Sequence, residues 1–128
     1  MARGIEIRDA HFPGRAPIDA YGNGGFRFAD MSHRGSILCL PSGIHGWAVA
    51  ADEPLTVAAL QRVLDEAEQI EVLLVGTGME IRPLSAEIRA ALKQRGVRSD
   101  PMSTGAAVRT FNVLLAENRA VAAALVAV

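Results

Sequence analysis

The run Val72-Leu73-Leu74-Val75, breaking into Gly76-Thr77-Gly78, constrains the fold more than any other stretch of the chain. Four aliphatic residues in succession, followed by two glycines, describe a buried strand emptying into a tight loop. Gly76 and Gly78 permit positive φ and close backbone approach, and their N–H groups are placed to meet a carboxylate or phosphate.

On either side of this strand the apolar period is helical. Leu60, Val63, Leu64 and Ala67 form one stripe behind an N-cap at Thr56, which predicts a helix of about three turns. A second helix is capped by Ser85, turns Ile88, Ala91 and Leu92 to one side, and ends in Lys93, Arg95 and a C′ glycine, Gly96. A short strand at 97–99, stopped by Asp100-Pro101, precedes a third helix. That helix starts at Ser103 or Thr104, runs to Glu117 and buries Ala107, Phe111, Leu114 and Leu115.

Before residue 51 the pattern differs. Short apolar runs at 17–21, 26–28, 36–40 and 44–50 are separated by turn signals at 22–25, 32–35 and 41–43, which predicts a β-meander. Ile5 and Ile7 alternate with Glu6 and Arg8 as in a short edge strand. The tail at 120–128 suits an alanine-rich helix, and equally a strand apolar on both faces.

Strand, helix and strand from 72 to 99 make a βαβ unit, with a right-handed crossover and parallel strands. Parallel strands open their C-terminal ends on one sheet edge, so Gly76, Thr77 and Gly78 are predicted to lie beside the 100–105 segment. Ser103, Thr104 and Gly105 open the third helix there, with free N–H groups and a positive dipole end, and Arg109 leans over the same edge. These seven residues are the candidate binding set for a small anion. Each has a plain structural alternative: turn glycines, a Ser/Thr cap, and an arginine paired with Asp100 or Glu80.

Several chemistries are excluded. Ile81 stands where the third glycine of G-x-G-x-x-G belongs, and no Gly-Lys-Ser/Thr follows, so neither nucleotide fingerprint is present. His11, His33 and His45 fall on separate predicted loops or strands without metal spacing and read as surface or edge residues. No G-x-S-x-G elbow occurs, and no complete set of base, nucleophile and oxyanion donors can be assembled. The sequence therefore names no catalytic residue, metal or cofactor, and leans against an enzyme. Cys39 reads as a small buried thiol, and Trp47 as a plug between meander and helices in preference to a partner surface.

With 128 residues, half of them apolar, the chain fits one domain, 1–128. A net charge of −1 with both signs interspersed leaves no footprint for nucleic acid or an anionic membrane surface. One cysteine excludes an internal disulfide, and Lys93 is the only lysine. The N-terminus has neither a signal-peptide core nor presequence character, and the most apolar segment is far short of the ~20 residues a membrane helix needs. The expectation is a soluble cytoplasmic protein with no integral membrane segment.

Five blocks, in order and spacing, carry a family resemblance. They are Gly22-Asn23-Gly24-Gly25-Phe26-Arg27-Phe28, Gly35-Ser36-Ile37-Leu38, Leu40-Pro41-Ser42-Gly43-Ile44 with Trp47, the 72–78 stretch, and 100–112 from Asp100-Pro101-Met102 through Phe111-Asn112. Together they resemble the domain of unknown function 498 family, which includes mitochondrial NADH dehydrogenase (complex I) assembly factor 3. The resemblance implies a three-layer α/β domain with a central mixed sheet, in which 120–128 is a strand running antiparallel between the others. It implies no reaction and no cofactor. Its mitochondrial members do imply a non-catalytic protein-binding or assembly factor that grips a protein partner, and an exposed apolar patch near Trp47 or the meander loops would mark such a surface. Without a presequence, the chain looks like a bacterial member. The alternative is a protein or enzyme that binds a small anion at the glycine edge.

Overall fold

The computed structural model describes residues 10–128 together with the backbone of residues 6–7. The first half of the chain is a succession of short strands: β1 (Glu6–Ile7), β2 (His11–Pro13), β3 (Ala20–Gly22), β4 (Gly25–Phe28), β5 (Met31–Arg34), β6 (Ser36–Leu40) and β7 (Gly43–Trp47). The second half alternates: α1 (Gln61–Asp65), β8 (Val72–Gly76), α2 (Ala86–Gln94), β9 (Arg98–Met102), α3 (Thr104–Ala116) and β10 (Val121–Leu125). A mixed sheet has the order β2-β7-β6-β10-β8-β9, and a smaller one the order β1-β5-β4-β3. Ile5 lies outside the described residues.

The meander forms where the turn chemistry allows it. Asn23 and Gly24 both take positive φ (52° and 79°), which matches the twist of a tight hairpin between β3 and β4. β5 occupies residues read from sequence as a turn. Met31 and His33 are buried while Arg34 is exposed, and this period of two prevails over polar composition. β2 is another strand the sequence reading did not place, and it pairs antiparallel with β7.

The central strand of the large sheet is β10. It runs antiparallel to β6 but parallel to β8, so the expected orientation holds toward β6 alone. The reason is α3, which carries the chain back over the sheet so that β10 starts at the same end as β8. Val121 to Leu125 are all buried, as a strand between two neighbours and two layers requires.

Two further expectations change. β9 continues through Asp100-Pro101, with Pro101 opposite Val75; as the edge strand it tolerates a residue with no N–H to give. The first helix is not continuous: 3₁₀ turns at Ala58–Leu60 and Ala67–Gln69 flank the single α-turn of α1. Thr56 still caps its start, its Oγ1 accepting from Ala59 N at 3.1 Å. The break falls at Glu66 (φ −109°, ψ 14°), whose carboxylate is turned away to Ser42.

Alternation along β8 distributes the core. Leu73 and Val75 pack with Leu60, Val63, Ile88 and Leu92 under the α1 and α2 layer. Val72 and Leu74 pack with Phe26, Phe28, Cys39 and Phe111, between the large sheet and the layer made by α3 and the small sheet. Each such side chain contributes about 1.5–3 kcal/mol by leaving water. Trp47 fills the α1 side, and its Nε1–H donates to Ala59 O at 2.8 Å, so it is a plug.

Candidate functional site

The two segments expected at one sheet edge do meet there. Thr77 N donates to Met102 O and Thr104 N donates to Gly78 O, both at 2.8 Å, joining the loop after β8 to the start of α3. β10 ends beside them, with Val126 N donating to Gly76 O at 2.9 Å. Strand order β10-β8-β9, with α2 and α3 on opposite faces, makes this the point where the winding reverses, a usual place for a ligand crevice.

Here the crevice is filled by the protein itself. Thr104 is fully buried; its Oγ1 donates to Val126 O at 2.7 Å and accepts from Gly78 N at 3.0 Å. Thr77 Oγ1 donates to Glu80 O at 2.7 Å and accepts from Arg82 N at 2.9 Å, tying the 77–82 loop into a closed turn. Ser103 is an ordinary N-cap, accepting from Ala106 N. The N–H groups of Thr77, Gly78 and Thr104 are thus engaged within the chain.

The glycines have packing reasons. A Cβ on Gly76 would stand 2.9 Å from Thr104 Cα and 3.1 Å from Leu125 Cδ2, so Gly76 lets α3 approach the sheet; its φ is not positive. Gly78 takes φ +113° in open space and is a true turn glycine. Gly105 makes room for the Tyr21 hydroxyl, which a Cβ would strike. Arg109 is exposed and pairs with neither Asp100 nor Glu80; among the described residues its guanidinium has no partner.

The loop exposes Glu80 and Arg82 and, alternating with them, two large apolar side chains. Met79 is 81% exposed and Ile81 64%, on the turn that Thr77 Oγ1 holds shut. Tyr21, at 41%, is connected to the same edge through Gly105. Trp47 is not part of an exposed patch.

A second polar cluster, not anticipated from the sequence, sits at the β2 end of the large sheet. Ser42 Oγ donates to Glu66 Oε2 at 2.6 Å and accepts from His45 Nε2 at 2.8 Å, while Ser42 N donates to Glu66 Oε1 at 2.9 Å. This order fixes the Nε2–H tautomer of His45 and leaves its Nδ1 as an acceptor, with Arg62 Nη1 3.4 Å away. Burial first, then the positive Arg62 and the nearby His11, hold His45 below the usual imidazole range, with Glu66 opposing. The arrangement is not a hydrolytic triad, because the serine gives its proton to a carboxylate and receives one from the imidazole. His33 and His45 are buried, so the surface reading fails for both. The spacing of His11 and His45 becomes readable only once β2 is recognised, since the two are register partners. No group of three metal-binding side chains occurs among the described residues.

Comparison with known proteins agrees with this architecture. The chain is 65% identical to a solved protein described as an outer membrane protein from Bartonella henselae, over 91% of this chain and 98% of that one, with a TM-score of 0.88. A Mth938-like domain from Bordetella pertussis matches at 30% identity over 93% and 92% of the two chains, with a TM-score of 0.75. Among curated proteins, mouse NADH dehydrogenase [ubiquinone] 1 alpha subcomplex assembly factor 3 is 30% identical over 95% of this chain. The chain spans 66% of that protein's length. No helix among the described residues is long and apolar enough to cross a membrane. Residues 18–126 match the family model described as a protein of unknown function, DUF498/DUF598, and the chain belongs to that family.

Proposed function

We propose that this chain is a non-catalytic assembly factor that grips a protein partner during the building of a respiratory NADH dehydrogenase. Relatives that carry the name of such a factor support the reading, at 30 to 36% identity for the mouse and zebrafish proteins. The observation that carries it is the loop bearing Met79 and Ile81. A disordered loop would expose apolar residues incidentally, but this one is closed by two bonds at Thr77 Oγ1 and still holds both side chains in water. Large apolar groups fixed in solvent are characteristic of a surface that a partner covers.

The test is a deletion strain of the source organism, scored by native electrophoresis for assembled NADH dehydrogenase. Loss of the complex, restored by the wild-type chain and not by a folded Met79→Ser/Ile81→Ser double variant, is expected. Unchanged complex levels in the deletion strain overturn the proposal.

A further inference from the structure

The outward face of the small sheet is hollow. Side chains alternate along its strands, and Phe26, Phe28, Met31 and His33 turn inward to the core. The opposite face carries Ala20 and Ser32, each a register partner of Arg27, and Gly22 and Gly25, which pair with each other while Gly25 also pairs with Arg34. Across β3, β4 and β5 the floor is therefore nearly bare of side-chain bulk, and two arginines stand on it. The result is an open concavity of about 340 Å³, with Tyr21 and Asn23 also lining it.

Its two positive charges are unpaired among the described residues. The residues that line it include no carboxylate side chain, and among the described residues the guanidinium groups of Arg27 and Arg34 make no ion pair or hydrogen bond. Two like charges on the same face of neighbouring strands repel, which disfavours the free protein by a little and favours any state in which an anion sits between them. Guanidinium groups suit a carboxylate in particular, because their paired N–H groups match its two oxygens. The hollow is broad and open, so it offers small-molecule ligands little of the enclosure they require, while a chain lying across it can hold several contacts at once.

We infer that this arginine-walled concavity receives an acidic polypeptide segment, with carboxylates seated on Arg27 and Arg34 above the Ala20, Gly22, Gly25 and Ser32 floor. The inference rests on the protein-binding reading and names the chemistry of what is bound. It assigns the charged contact to the small sheet, while Met79 and Ile81 supply an apolar contact at the adjoining edge.

The test uses the full ¹⁵N-labelled chain titrated separately with a hexaglutamate peptide and with inorganic phosphate. Hexaglutamate is expected to shift amides at 20–27 and 32–34, with affinity that falls as salt is added and drops on the order of tenfold in Arg27→Gln/Arg34→Gln. Both arginines are exposed, so the variant's remaining spectrum should be unchanged, and Arg27→Lys/Arg34→Lys should recover part of the loss. Absence of shifts at millimolar peptide, or binding indifferent to the double Gln substitution, overturns the inference. Saturation of the same amides by phosphate at concentrations equal to or below those of the peptide overturns it as well, since the occupant is then a small anion. None of these outcomes depends on the respiratory complex, so the site and the assembly role can fail separately.

Discussion

The imidazoles of His11 and His45 face each other across β2 and β7, Nδ1 to Nδ1 at 3.1 Å with ring centroids 4.9 Å apart. Since His45 Nδ1 is the acceptor of its network, His11 Nδ1–H is the donor, and the pair is compatible with only one proton between the two nitrogens.

A pH dependence follows, and its sign is fixed. His45 is held below its ordinary value in the folded chain, so the unfolded chain takes up the proton first as pH falls. The stability it contributes is complete above about pH 6.5, the unfolded value, and is lost as pH falls from there through the folded value. The urea midpoint should decline over that window and do so less steeply in His45→Gln. An identical slope in the variant would show that other groups carry the titration.

The crevice filled by Thr104 predicts a loss on mutation without any ligand present. Thr104→Val keeps the shape but strands Val126 O and Gly78 N in a buried site, and should cost about 1–3 kcal/mol. Gly76→Ala forces a Cβ against Thr104 and Leu125 and should cost about 1–3 kcal/mol. Chemical denaturation of both variants measures these directly, and near-wild-type stability for either would mean the edge relaxes.

Leu74, on the core between the large sheet and α3, should cost about 2–5 kcal/mol when cut to alanine. Cys39 belongs to the same core, and burial pushes its thiol well above the usual range. It should therefore react with a thiol reagent only at the rate of unfolding; fast labelling under native conditions would contradict its placement.

Asn112 holds the chain entering β3 by accepting from Ile18 N at 2.9 Å and donating to Ile18 O at 2.8 Å, a side-chain imitation of strand pairing. Asn112→Ala should cost about 1–3 kcal/mol and raise hydrogen exchange at 18–22 ahead of the rest of the chain. Uniform exchange across all strands would count against a local role.

Long or strongly periodic segments were legible from the sequence. The buried strand at 72–76, the Ser85 and Ser103 caps and the turn at Asn23-Gly24 announce themselves through local chemistry that the tertiary structure leaves in force. Missed features depend on partners distant in sequence. β2 is three residues long and exists because Gly43 to His45 lie beside it, and Pro101 enters a strand because, among the described residues, no strand flanks β9 on its far side. The glycine edge shows the same limit at the candidate site. Which residues converge there follows from βαβ geometry, whereas the engagement of their N–H groups depends on Thr104 reaching Val126. Arg27 and Arg34 carried no signal at all until pairing set them on one face.

Because β10 lies between β6 and β8, the strand that joins the meander to the helical half follows every other strand in chain order. During synthesis both β6 and β8 must wait with an unsatisfied side while the ribosome still makes residues 121–125. The nascent chain therefore carries two open strand edges that can pair wrongly, and cooperative folding is deferred until this segment emerges. A substitution in Val121–Leu125 should act on yield and aggregation in the cell more strongly than its effect on the finished fold would suggest.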